Sequence, residues 1–171
     1  LSLPKLGASG LAYRLAGQYG VPVVPTRPAL VPLTVTGVLK QVCGELAGVS
    51  AEVCLTATGG SFRENLLFTH RGLSGPAVLQ VSSLLADGDE LSIDWLPGRD
   101  VARWLEEQCR QFPGRTLPVM LAEVLPKRLA QALCDHFLGN PVPARSSAGD
   151  RKELAARLSG AGMQVAIIER G

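Results

Sequence analysis

The sequence predicts an α+β fold: a small antiparallel β-barrel or curled sheet with an inserted helical subdomain. Three observations predict it. Apolar and polar residues alternate in several short segments before residue 97, the pattern of half-buried strands. From residue 98 to 161 the period changes to that of amphipathic helices. A last apolar run, Met163 to Ile168, then reads as a strand expected to be buried on both faces. A chain that leaves a sheet for a helical stretch and then returns carries an insertion. The β-rich part is therefore residues 21–97 plus 162–171, and the helical part is 98–161.

The elements follow in order. Leu11, Leu15 and Tyr19 recur at every fourth position and share one helix face between Gly10 and Tyr19. Ser9 can cap that helix, and Gly20 stands where a left-handed residue ends one. Pro22, Pro25, Pro28 and Pro32 forbid helix and favour an extended connector. Strands follow at Val31–Thr36, where Pro32 marks an edge, then at Glu52–Ala57, Leu66–Thr69 and Glu90–Trp95. Gly59-Gly60 and Asp87-Gly88-Asp89 supply turns. A glycine loop after Thr69 leads to a helix that Ser74 can cap and Gly75-Pro76 open, with Val78, Val81, Leu84 and Leu85 as its stripe. Asp100 caps the next helix (Val101, Trp104, Leu105, Gln108, Phe112), which Pro113-Gly114 ends. Val119, Met120 and Val124 begin a short one. Pro126 opens a third, with Leu125, Leu129, Leu133 and Phe137 in register and Gly139-Asn140 as its stop. Pro141 to Gly149 reads as a polar loop. Asp150-Arg-Lys-Glu153 reads as a capping box before Leu154 and Leu158, and Gly160 and Gly162 end that helix.

Composition narrows the function classes. At 171 residues the chain suits one domain or two small subdomains sharing a core. Its 46% apolar and 19% charged residues exclude a disordered chain. No apolar run approaches the roughly 20 residues of a membrane helix, and no basic leader precedes an apolar segment, so a cytoplasmic protein is expected. Seventeen Lys+Arg against fifteen Asp+Glu give +2, too little to demand an acidic partner. Cys43, Cys54, Cys109 and Cys134 stand apart, as expected of free thiols in ordinary packing, and no metal-ligand spacing occurs. The chain starts at Leu1 in mid-pattern and reads as a piece of a longer protein.

Few residues offer chemistry. His70 follows a strand and precedes Arg71-Gly72-Leu73-Ser74-Gly75-Pro76, which places Thr69, His70 and Ser74 at a sheet end where they could line a pocket. The alternative is a turn histidine with a merely structural serine. His136 lies on a helix flank. Gly7 and Gly10 could let a backbone approach a ligand, or could simply form a tight turn. Neither the dinucleotide fingerprint nor a phosphate loop is present. Arg145, Arg151, Lys152 and Arg157 form a basic cluster, but two tyrosines, two tryptophans and four phenylalanines are too sparse for a stacking platform, which argues against nucleic acid. On these grounds alone a freestanding RNA- or protein-binding module stays open, and a hydrolase built on His70 lacks a recognisable acid partner.

The segment Leu66-Leu-Phe-Thr-His-Arg-Gly-Leu-Ser-Gly-Pro-Ala-Val-Leu79 resembles the LFTHxGxSGPAxL motif of the YhiN/BaiN-type flavoproteins, also described as NAD(P)/FAD-dependent or aminoacetone oxidase-like. Other pieces agree in order. Ser2-Leu-Pro-Lys-Leu-Gly7 with Gly10 is similar to the family's S-x-P-x-x-G-x-x-G, and Pro28-Ala-Leu-Val-Pro-Leu33 to its P-x-L-V-P-L. Leu125-Pro-Lys-Arg-Leu129 is similar to its LPKRL, and Gly162 to Gly171 to the strand leading back to the flavin domain. Gly20-Val21 and Glu64-Asn65 depart from the family's usual Gly-His and Gly-Glu.

The resemblance implies an insert, with residues 1–20 as a stub of the flavin domain. Its role would be a lid or substrate-side domain of an FAD-dependent oxidoreductase, shielding the flavin cleft and not catalytic alone. FAD, with NAD(P)H, would act in the full-length parent, with none bound to this piece. The expected partners are the parent's FAD domain and a small-molecule substrate. Thr69 and His70 would orient substrate or bond the flavin edge. Gly72, Ser74 and Gly75 would border the cofactor, with Ser2, Gly7 and Gly10 nearby.

Overall fold

The computed structural model describes residues 7, 9–26, 29–86 and 88–170, with side chains through residue 160. Ser2, Pro28, Asp87 and Gly171 lie outside the described residues, as do the side chains of Met163 to Ile168.

Among the described residues, six antiparallel strands close on themselves: β1 (Leu33–Val35), β2 (Ser50–Ala57), β3 (Gly60–Thr69), β4 (Gly72–Ser74), β5 (Glu90–Asp94) and β6 (Ser159–Arg170). Their order around the barrel is β1-β4-β3-β2-β5-β6, and β6 pairs back onto β1. The fold is α+β and the sheet is a barrel. Alternation explains the strands: Ala51, Val53 and Leu55 of β2 are buried, while Ser50, Glu52 and Thr56 on the other face are exposed. Leu66 and Phe68 of β3 and Leu91 and Ile93 of β5 add to the same interior.

Seven α-helices among the described residues accompany the barrel. α1 (Leu11–Gln18) precedes it and buries none of its residues. α2 (Gly37–Glu45) follows β1, and its Leu39, Val42 and Cys43 face the core. α3 (Pro76–Val81) packs on β2, β3 and β4 and buries Ala77, Val78 and Val81. The buried Ser82 just after it accepts from the Val31 N–H at 3.1 Å and donates to the Leu79 carbonyl at 2.7 Å, tying the proline-rich lead-in to the barrel. Between β5 and β6 come α4 (Val101–Gln111), α5 (Leu117–Leu121), α6 (Lys127–Leu133) and α7 (Ala148–Leu158). α6 continues into a π turn, Cys134–Leu138, that stops at Gly139 with φ +75°. Barrel and helices share one continuous apolar core. Trp95, which leaves β5, stacks on Phe68 with ring centroids 6.2 Å apart, and its backbone N–H donates to the Leu158 carbonyl at 2.9 Å.

Several local expectations change. Gly10 and Gly75, not Ser9 and Ser74, stand at the starts of α1 and α3, neither helix has a side-chain cap, and Ser74 belongs to β4. Asp100 does cap α4, accepting from the Arg103 N–H at 3.0 Å. The capping box of α7 is Ser147 with Asp150, one turn earlier than Asp150 with Glu153, because Ser147 is the last extended residue and its hydroxyl accepts from the Asp150 N–H. β6 starts at Ser159 and already contains Gly160.

One polar cluster ties α2 to the later helices. The Glu45 carboxylate bonds the His136 ring at 2.8 Å and accepts from Gln41 at 3.0 Å, and the Glu45 backbone carbonyl accepts from Arg128 at 2.5 Å. The bond to His136, then that to Gln41, holds the Glu45 carboxyl below the ordinary range. A carboxylate held low stabilises the fold above its unfolded pKa and loses that contribution as pH falls through the folded one. The stability gap between the wild type and Glu45→Gln is therefore expected to be largest at neutral pH. It should close below the ordinary glutamate value of about 4.3. Urea midpoints across that range measure it.

Candidate functional site

The sequence-predicted site falls on a hairpin. Thr69 pairs with Gly72 in the β3–β4 ladder, so His70 and Arg71 form a two-residue turn. The Thr69 hydroxyl donates to the Gly72 carbonyl at 2.9 Å and accepts from the Gly72 N–H at 3.2 Å. That hydroxyl is occupied inside the turn, where it sets the turn's shape. His70 and Arg71 are exposed at the tip, and His70 makes no hydrogen bond among the described residues. The hairpin thus holds out an imidazole, which can donate or accept, beside a guanidinium, which only donates.

The glycines of the motif have packing reasons of their own. Gly72 has φ +152°, and a Cβ there would stand 2.2 Å from the Leu33 carbonyl oxygen. Gly75 has φ +92°, and its Cβ would stand 2.7 Å from the Asn65 carbonyl oxygen and 2.8 Å from the Leu67 nitrogen. The space beside both is filled by the barrel's own backbone. Ser74 sits in β4 opposite Leu67. Gly7 (φ +88°) and Gly10 are open by contrast: a Cβ on either would meet no described atom within 4 Å. The structure therefore brings Thr69, His70, Gly72, Ser74 and Gly75 together on one short stretch of barrel, leaves Gly7 and Gly10 on the lead-in to α1, and does not describe Ser2.

The cysteines and the basic cluster also resolve. Cys43 and Cys134 are buried free thiols, pushed up to about 12 by burial, so they stay protonated. Burial also raises the Cys109 thiol. Of the basic cluster, Arg157 turns inward to the Phe137 carbonyl at 2.6 Å and Arg151 bonds the Ser146 carbonyl at 2.5 Å, while Lys152 is exposed. No group of three or more His, Cys, Asp or Glu that could hold a metal occurs among the described residues. No helix among them is long and apolar enough to cross a membrane.

The chain, a barrel whose last strand returns after a helical insertion, matches the family model described as "HI0933-like protein barrel and H2TH domain" over residues 27–169. The chain belongs to this HI0933-like family. Two curated relatives are similar over most of the chain. A protein of Escherichia coli (strain K12) named ribosomal RNA dihydrouridine synthase is 50% identical over 134 residues, 78% of this chain and 34% of the relative. One of the same name from Haemophilus influenzae is 42% identical over 132 residues, 77% of this chain and 33% of the relative. The chain thus spans about a third of the length of the curated relatives it matches. Their shared name differs from the aminoacetone oxidase-like description that accompanies the sequence resemblance.

Proposed function

We propose that this chain is the barrel-and-helix part of a flavin-dependent oxidoreductase that reduces uridine to dihydrouridine in ribosomal RNA. The observation that carries this is the 50% identity to the E. coli ribosomal RNA dihydrouridine synthase across most of the chain. RNA then takes the place of the small-molecule substrate, and the expectation against a nucleic-acid partner is withdrawn.

The described residues offer no cradle for FAD. The strands among them are all antiparallel, and Gly72 and Gly75 are packed on the backbone at Leu33 and Asn65, while Gly7 and Gly10 stand open on the lead-in to α1. In this reading the coenzyme is held by the rest of a longer parent, and this chain works on the substrate side. The lead-in supports that division. Leu11 and Leu15 of α1 and Tyr19 just after it are 53%, 44% and 77% exposed, an amphipathic face with no cover among the described residues. α1 and Tyr19 pack that face on the flavin domain. The His70–Arg71 tip orients the base or its phosphate, and the barrel excludes water from the cleft.

The test is dihydrouridine content, read by mass spectrometry of digested ribosomal RNA from cells lacking the gene for the parent protein. Restoring the parent should restore the modified base. The His70→Ala parent should restore about tenfold less or worse, with an unchanged melting temperature because His70 is exposed and unbonded among the described residues. Ribosomal RNA whose dihydrouridine does not depend on the gene would reject the reading.

A further inference from the structure

We infer that the corner where α4 ends and α7 begins is the surface on which this domain grips the phosphate backbone of RNA, a proposal that rests on the ribosomal RNA reading above. The helical stretch 98–161 carries ten Lys+Arg against seven Asp+Glu, while the rest of the chain carries seven against eight. Arg110, in the last turn of α4, and Arg151, in the first turn of α7, line one open groove of about 400 Å3 with Glu106, Cys109, Pro113 and Ala144. Arg145 follows Ala144 in a short 3-10 turn, and Lys152 follows Arg151. Two elements distant in sequence thus bring Arg110 and Arg151 to one groove, and Arg145 and Lys152 adjoin two of its lining residues, Ala144 and Arg151, along the chain.

These four cations are not tied up in ion pairs among the described residues. Arg63, Arg103 and Arg115 are each paired with a glutamate, Glu52, Glu107 and Glu123 respectively. Arg110, Arg145, Arg151 and Lys152 form no ion pair among the described residues. Asp150, beside Arg151 in sequence, accepts from the Ser147 N–H in the capping box and also feels the Arg151 charge, while Glu153, beside Lys152, is exposed. Among the described residues that line the groove, Glu106 is the one carboxylate. Arg151 is held in place by its bond to the Ser146 carbonyl, so its remaining N–H groups are pre-oriented. An open, cation-lined groove suits a charged polymer backbone, which such a surface holds without reading sequence.

The test is fluorescence anisotropy of the 171-residue chain with a labelled single-stranded RNA of mixed sequence and with deproteinised ribosomal RNA, over a KCl series. The groove variant is Arg110→Ala, Arg145→Ala, Lys152→Ala; the charge-matched control is Arg14→Ala, Lys40→Ala, Lys127→Ala. The groove variant should bind about tenfold more weakly or worse, with its log–log salt slope reduced by about 2, as expected for three lost phosphate contacts. The control should change less than about twofold. Equal losses in the two variants, an unchanged groove variant, no RNA binding by the wild type, or tighter groove-dependent binding of poly-glutamate would each overturn the assignment. The dihydrouridine assay is separate: gene-dependent dihydrouridine with an unaffected groove variant removes this surface alone, whereas gene-independent dihydrouridine removes the functional reading whatever the RNA binding shows.

Discussion

Replacing Gly72 by alanine is expected to destabilise the protein by about 3 kcal/mol or more, enough to unfold a domain of ordinary stability under mild conditions. Two effects add. The φ of +152° is one that an L-residue rarely adopts. The new Cβ would also meet the Leu33 carbonyl oxygen at 2.2 Å and the Thr34 Cα at 3.1 Å. Both are backbone atoms of β1, so no side chain can swing away, and β4 would have to separate from β1. A control isolates the steric part. Gly37 has φ +59° but nothing within 4 Å of its Cβ position, so Gly37→Ala should cost only about 1 kcal/mol. Urea denaturation of the two variants gives the comparison, and equal midpoints would show that β1 and β4 do not meet as described.

Trp95→Ala is expected to cost about 4 kcal/mol, near the upper end for a truncated core aromatic. Trp95 is 1% exposed and lies parallel to Phe68, with 5° between the ring planes. It belongs to the core that barrel and helices share, so its removal opens a cavity that both layers would have to collapse to fill. Phe68→Leu, which keeps much of the volume, should cost less than about 2 kcal/mol. Thermal and chemical denaturation would register these differences, and a Trp95→Ala protein as stable as the wild type would contradict the packing.

Much of this fold is legible because its signals are local. The alternation of Val53 and Leu55 with Glu52 and Thr56 marks β2, Asp100 marks the start of α4, and Gly139 marks the stop after α6. Other features depend on distant partners. β4 is three residues long, too short to show a period, and exists because Leu73 finds Leu33 far earlier in the chain. The expected glycine loop after Thr69 is therefore a tight hairpin. α2 escapes sequence reading although Leu39, Val42, Cys43 and Leu46 carry a helical spacing; the helix is nine residues long and contains two glycines, Gly37 and Gly44, which weaken its local signal. At the site, sequence locates a real structural unit, Thr69 to Gly75, but cannot tell a glycine that makes room for a ligand from one that makes room for its own backbone. Only the positions of Leu33 and Asn65 separate the two. That Arg110 and Arg145 form no ion pair among the described residues is equally invisible in sequence, since it depends on where every glutamate comes to rest.

The closure of the barrel has a consequence for biosynthesis. β6, the last strand of the barrel to be made, supplies the seam between β5 and β1 and pairs Arg170 with Leu33. During translation the earlier strands emerge with two open edges, and every helix from α4 to α7 is synthesised before the seam can form. The nascent chain must hold one edge each of Leu33–Val35 and Glu90–Asp94 unpaired until residue 170 has cleared the ribosome, a window in which those edges are open to mispairing.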